Sequence, residues 1–132
     1  MDLSKFTIKS QQALQEAQQL VLEKGQQAIE NGHILKGIFI ADKSVTPFIL
    51  KKIGANPTIV EQALDQIIES YPKVSGGDPM ISRNGSTTIQ HAIAAAREMK
   101  DDFVSIEHIL LGMLKSSGSA TQLLKDNGAN KK

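Results

Sequence analysis

The sequence predicts an all-α fold built from two pseudo-symmetric four-helix repeats, the second cut short at its last helix. Three observations carry this. Apolar residues recur at spacings of three and four, and strand-like alternation is absent. Laid over itself with a shift of 75 residues, the chain sets His33-Ile34-Leu35-Lys36-Gly37 on His108-Ile109-Leu110-Leu111-Gly112, four identities in five. After one residue of slippage, Leu50-Lys51-Lys52-Ile53-Gly54-Ala55-Asn56 falls on Leu124-Lys125-Asp126-Asn127-Gly128-Ala129-Asn130, five matches in seven. Duplicated units of this kind are expected to pack about a pseudo-twofold axis, because each offers the other the face it must bury.

Taken in order, repeat one runs from about residue 6 to 70. Thr7 can cap a first helix whose stripe of Ala13, Leu14, Ala17, Leu20 and Val21 ends near Gly25. A short second helix starts at about Asn31 and turns Ile34, Leu35, Ile38 and Phe39 inward. The third begins near Val45, tolerates Pro47 in its first turn and closes at Gly54. Asn56-Pro57 opens the fourth, with Ile59, Val60, Ala63, Leu64, Ile67 and Ile68, and Tyr71-Pro72 stops it. Residues 71–80, rich in Pro, Gly and Ser, read as a linker. Repeat two runs from about 81 to 132. Ser82 caps a helix carrying Ile89, Ala92, Ile93 and Ala96, and Ser105 caps one that buries Ile109, Leu110, Met113 and Leu114. Asn130 corresponds to Asn56, the start of the fourth helix, yet the sequence ends at Lys132. The expectation is an excised piece of a longer polypeptide and a single domain over 1–132.

Composition narrows the function. Charges of both signs are scattered along the chain, net +1, with four Phe, one Tyr and no Trp, so nothing funnels a polyanion and stacking platforms for single-stranded nucleic acid are scarce. No cysteine is available for a disulfide, a thiolate nucleophile or a thiolate metal site. No signal peptide or membrane-length apolar run is visible, so a cytoplasmic chain without membrane contact is expected. Walker, GxGxxG, HExxH, GxSxG and EF-hand patterns are all missing, which leaves a catalytic site without candidates.

His33 and His108 occupy equivalent places at the start of short apolar helices, where a structural role outweighs metal ligation; no metal or cofactor is expected in this chain. Asp101, Asp102 and Glu107 stand before and in the first turn of an apolar helix. They suit the positive end of that helix and equally suit partner recognition. Thr7 reads as a cap that can also line a surface, and Ile89 as a core position at helical spacing.

The residues Phe6-Thr7-Ile8-Lys9-Ser10-Gln11-Gln12-Ala13-Leu14, His33-Ile34-Leu35, Ile49-Leu50-Lys51-Lys52-Ile53-Gly54 and Ser105-Ile106-Glu107-His108-Ile109-Leu110-Leu111 together resemble the double Clp N-terminal repeat. The resemblance covers about Leu3 to Asn130. The spacer Tyr71-Pro72-Lys73-Val74-Ser75-Gly76-Gly77 is similar to that of the ClpB-type AAA+ disaggregases rather than to ClpC or ClpA members. It implies a tethered domain that engages exposed hydrophobic segments of unfolded or aggregated proteins and delivers them to an ATPase ring. ATP and Mg would belong to the parent chain, which is expected to be hexameric and to work with a DnaK-type chaperone system, whereas the fragment alone would be monomeric. The resemblance carries substrate handling onto Thr7, Asp101 and Glu107, and places the apolar lining of a groove at Ile89 and, by position, Val104.

One departure matters. Many members of the family have Glu-Pro-Glu-His where this chain has Glu30-Asn31-Gly32-His33. A glutamate at both equivalent places accompanies phosphoarginine recognition in ClpC-like domains, and Gly32 lacks that charge while Glu107 keeps it. The alternative reading, a ClpC-like platform docking adaptors or phosphoarginine-marked clients for a Clp protease, is therefore disfavoured as a two-site reader. A freestanding enzyme has no nucleophile, base or metal set to support it.

Overall fold

The computed structural model describes residues 3–74 and 78–128. The centre of the expected linker at 75–77 and the expected cap at Asn130 lie outside the described residues. Seven helices follow in order among the described residues: α1 (Ile8–Lys24), α2 (Asn31–Ala41), α3 (Val45–Lys52), α4 (Pro57–Glu69), α5 (Arg83–Glu98), α6 (Ile106–Leu114) and α7 (Ser119–Asp126).

The ends of these helices are written in their sequence. Thr7 caps α1 by accepting the Ser10 N–H, and Gly25 closes it in the left-handed region at φ 62°, where a side chain would be strained. Asn56 accepts the N–H groups of Thr58 and Ile59, and Pro57 fills the first position of α4. Ser82 and Ser105 cap α5 and α6. The apolar stripe of α1 buries Ala13, Leu14, Ala17 and Val21 against α2, whose Ile34, Leu35 and Ile38 are fully enclosed. α5 packs on α6 in the same way. In both pairs a glycine sets the distance. A Cβ on Gly37 would stand 2.1 Å from the Ala13 carbonyl oxygen, and one on Gly112 would stand 2.4 Å from that of Thr88.

The two copies also exchange short strands, which the sequence reading did not anticipate. β1 (Ala28–Ile29) pairs in parallel with β2 (Met80–Ile81), and Phe6 bridges Val104 in parallel. Under the 75-residue shift Ile29 matches Val104 and Phe6 matches Ile81, so the two pairings are one contact seen twice. The hydrogen bonds repeat as well: Thr7 N–H donates to Val104 O and Ser82 N–H to Ile29 O, both at 3.0 Å. Two-residue strands leave no period-two signature, which is why alternation is absent from the sequence.

The copies differ at the fourth helix. α4 buries Val60, Leu64 and Ile68 against α2 and reaches α7, and its Glu61 and Asp65 hold Lys36 of α2 at 2.7 and 2.9 Å. Repeat two has no counterpart of α4 among the described residues, and the equivalent place between α6, α3 and α7 is an apolar pocket of about 110 Å³. It is lined by Ile49, Ile53, Leu110, Leu111, Leu114 and Leu124. Leu111 stands where repeat one has Lys36.

Candidate functional site

Where the start of α1, the turn into α3 and the start of α6 converge, an open cleft of about 360 Å³ is lined by Thr7, Ile8, Lys9, Asp42, Val45, Ser105, Ile106 and Glu107. The local sequence explains each wall. Thr7 turns its hydroxyl to the helix it caps, accepting from Ser10 N–H at 3.2 Å and donating to Ser10 Oγ at 2.8 Å. Asp42 is buried and receives the N–H groups of Ser44, Val45 and Thr46 and the Thr46 hydroxyl. Although burial alone would raise its pKa, these donors to the carboxylate hold Asp42 below the usual carboxylate range. Its charge is further satisfied by Lys9 at 3.7 Å. Glu107 is exposed in the first turn of α6 and forms no ion pair among the described residues. It also borders the apolar pocket between α3 and α6, so one carboxylate overlooks both cavities.

The structure brings Thr7 and Glu107 to one cleft. Asp101 lies elsewhere: its half-exposed carboxylate accepts from His108 Nε2 at 2.8 Å. His108 Nδ1 takes the Ser105 N–H at 2.9 Å, which fixes the proton on Nε2. Asp101 therefore orients the histidine at the N-terminus of α6 and does not share the cleft. Ile89 and Val104 are corrections to the expected groove lining, because they are only 6% and 4% exposed. Ile89 lies on the buried face of α5 where Gly112 draws α6 close, and Val104 is held by backbone pairing with Phe6. Neither lines the cleft at Thr7 and Glu107. The lining that sequence reasoning did not single out is Ile8, Lys9, Asp42, Val45, Ser105 and Ile106. Ile8 falls outside the buried stripe of α1 and is 75% exposed, an off-face apolar residue being the one signal available.

The pseudo-equivalent place on the other side of the molecule is closed. Asn31, fully inside, accepts the Thr88 hydroxyl at 2.6 Å and donates to Ser116 Oγ at 3.2 Å, while Ser116 Oγ donates to Asn84 O at 2.9 Å. Gly32, the counterpart of Glu107, lies under Tyr71: its N–H donates to the phenol oxygen at 3.2 Å, and a Cβ there would come within 2.6 Å of that oxygen. Beneath it His33 Nε2 donates to Gln26 Oε1 at 2.6 Å, and Gln26 Nε2 donates to Ile68 O. Burial, helped by the positive charge of Lys24, lowers the His33 pKa to about 4. Tyr71 is pushed up to about 12, chiefly by burial. Among the described residues no group of three metal-ligating side chains converges, and no helix is long and apolar enough to cross a membrane.

Among the described residues, the duplicated helical scaffold thus carries a cleft with mixed apolar and acidic walls where α1, α3 and α6 meet. The chain belongs to the Clp repeat (R) N-terminal domain family, which it matches over residues 5–127. It is similar to the chaperone protein ClpB of Bacteroides thetaiotaomicron, 48% identical over 132 residues, covering 100% of this chain and 15% of that protein. It is 45% identical over 129 residues to the chaperone protein ClpB of Porphyromonas gingivalis, covering 98% of this chain and 15% of that one. The chain is thus a ClpB-like Clp N-terminal domain and spans about one seventh of the length of these relatives. Its fold matches the Hsp104 N-terminal domain from Candida albicans with a TM-score of 0.84 at 17% identity, covering 95% of this chain and 83% of that one. The N-terminal domain of the ClpD chaperone from Arabidopsis thaliana gives 0.73 at 23%, covering 97% and 88%.

Proposed function

We propose that this chain is the client-engaging domain of an ATP-dependent, ClpB-type disaggregase, holding exposed hydrophobic segments of unfolded or aggregated proteins for delivery to the ATPase ring. The observation that carries the reading is the open cleft at Thr7 and Glu107, with exposed Ile8 and Val45 on its rim. Apolar burial is non-directional, so such a rim accepts many segments without reading their sequence. A client that hides about 300 Å² of apolar surface gains about 7 kcal/mol gross at about 25 cal/mol per Å², most of it offset by association and ordering costs. Binding in the micromolar to millimolar range follows, weak enough for handover to a pore and strengthened when several tethered copies act together. ATP hydrolysis with Mg, the hexameric ring, cooperation with a DnaK-type system and a cytoplasmic site of action belong to the parent chain in this reading, and the domain itself is non-catalytic.

Within this reading Asp101 supports the site indirectly, by orienting His108 and so the first turn of α6 that presents Glu107. The covered Gly32 disfavours a two-site phosphoarginine reader, since Tyr71 occupies the space that a second glutamate would need. Titration of the labelled chain with a permanently unfolded casein-type client tests the proposal by fluorescence anisotropy. Saturable binding that weakens several-fold in Ile8→Glu is the expected outcome; no binding up to millimolar client rejects it.

A further inference from the structure

The outer face of α3 carries a surface that the fold does not require. Val45 and Phe48 are 43% and 60% exposed, and Ile8 at the start of α1 is 75% exposed. The matching helix of repeat two supplies an internal control. Its inward positions keep the same burial, Ala120 and Leu124 answering Thr46 and Leu50. Its outward positions are polar: Ser119, Gln122 and Asp126 stand where α3 has Val45, Phe48 and Lys52, and Gln122 donates to Asp126 at 2.7 Å. Arg83 likewise replaces Ile8. One scaffold thus tolerates a polar outer face, so packing does not account for the apolar one.

Positive charge predominates on this face. Lys9, Lys43, Lys51 and Lys52 are all exposed, and the Lys52 ammonium lies 5.7 Å from the centre of the Phe48 ring. The nearby acids are engaged or set apart. Asp42 is enclosed by its hydrogen bonds and paired with Lys9, Glu61 is held by Lys36, and Glu107 lines the cleft from the start of α6. Lys51 and Lys52 also suit the negative end of α3, but that requirement is met in α7 by Lys125 alone.

We propose that the Ile8–Val45–Phe48 face with its four lysines docks partner segments in which acidic residues alternate with apolar ones, and so selects clients by charge as well as by hydrophobicity. The inference rests on the client-engaging reading of the adjoining cleft and adds the chemical class that it prefers. Apolar side chains of the segment cover Phe48 and Val45, while its carboxylates meet the lysines at the rim, where steering by charge sets selectivity.

The test uses the 132-residue chain and two short synthetic peptides of Leu and Phe, alternating with Glu in one and with Lys in the other. At low salt the Glu peptide is expected to bind about tenfold tighter than the Lys peptide, with the gap narrowing as salt rises. Amide shifts should centre on Ile8, Val45 and Phe48. The double variant Val45→Ser, Phe48→Gln places the residues of repeat two on repeat one; it should keep its melting temperature and lose most of the binding. Equal or tighter binding of the Lys peptide, or unchanged affinity in the double variant, overturns the inference. If the charge preference is absent while an unfolded casein-type client still shifts Thr7 and Glu107, only this inference falls. If neither peptides nor client bind, the client reading falls with it.

Discussion

The two junctions between the repeats start from the same backbone and end as different surfaces. At both, a strand of one copy pairs with the segment ahead of a helix of the other, a glycine lets two helices touch, and a histidine takes the N–H of the residue that caps its helix. At the junction around Asn31 the space is filled: Asn31 joins Thr88 and Ser116, and Tyr71 covers Gly32. At the other, Asn31 is replaced by the apolar Ile106 and Gly32 by Glu107, and the cleft stays open. Of two equivalent junctions, one is closed by a few polar residues and the other is open.

The comparison can be broken most severely at the glycines. Gly37→Ala and Gly112→Ala should each cost about 3 to 4 kcal/mol in urea denaturation, because each new Cβ meets a backbone carbonyl that cannot move alone. Similar losses confirm that the pairs are equivalent; a neutral change at either would separate them.

Acid should expose the next difference. His33 has its pKa lowered to about 4 in the fold against 6.5 when unfolded, mainly because burial penalises the cation. A folded pKa below the unfolded one means that the unfolded chain binds the extra proton between those values. Stability is then complete above about pH 6.5 and falls as the pH drops toward about 4, by up to about 3 kcal/mol. Denaturant midpoints across that range check it, and NMR of the His33 ring should show it neutral at pH 5.5, about 1.5 units above the folded value.

A smaller loss is expected at the seam. Asn31→Ala strands the buried Thr88 hydroxyl, costing about 2 kcal/mol by thermal or urea unfolding. It should loosen the closed junction without affecting client binding at the open one. The smallest effect on stability belongs to Glu107→Gln, within about 0.5 kcal/mol, since only a favourable charge at an exposed helix start is lost.

Much of this was legible in the sequence because it is local. Thr7, Asn56, Ser82 and Ser105 are caps, Gly25 is a left-handed terminator, and the stripes of α1 and α5 follow the helical period. The repeat was legible because the glycines and histidines that fix helix contact recur at one shift. What escaped depends on tertiary placement. The helical period read Ile89 as core, and it is enclosed beside α6; only the family resemblance placed it in a groove lining, while exposed and buried isoleucines look alike in a chain and Ile8 on the open cleft drew no attention. The paired strands were too short to mark the sequence, and the role of Asp101 needed the position of His108.

Amide shift mapping of the chain during titration with an unfolded client tests the asymmetry of the two junctions most directly. Perturbations are expected at Thr7, Ile8, Val45 and Glu107, with Asn31, Ser82 and Asn84 unmoved. Shifts centred on Asn31, Ser82 and Asn84, or equal at both junctions, would contradict it.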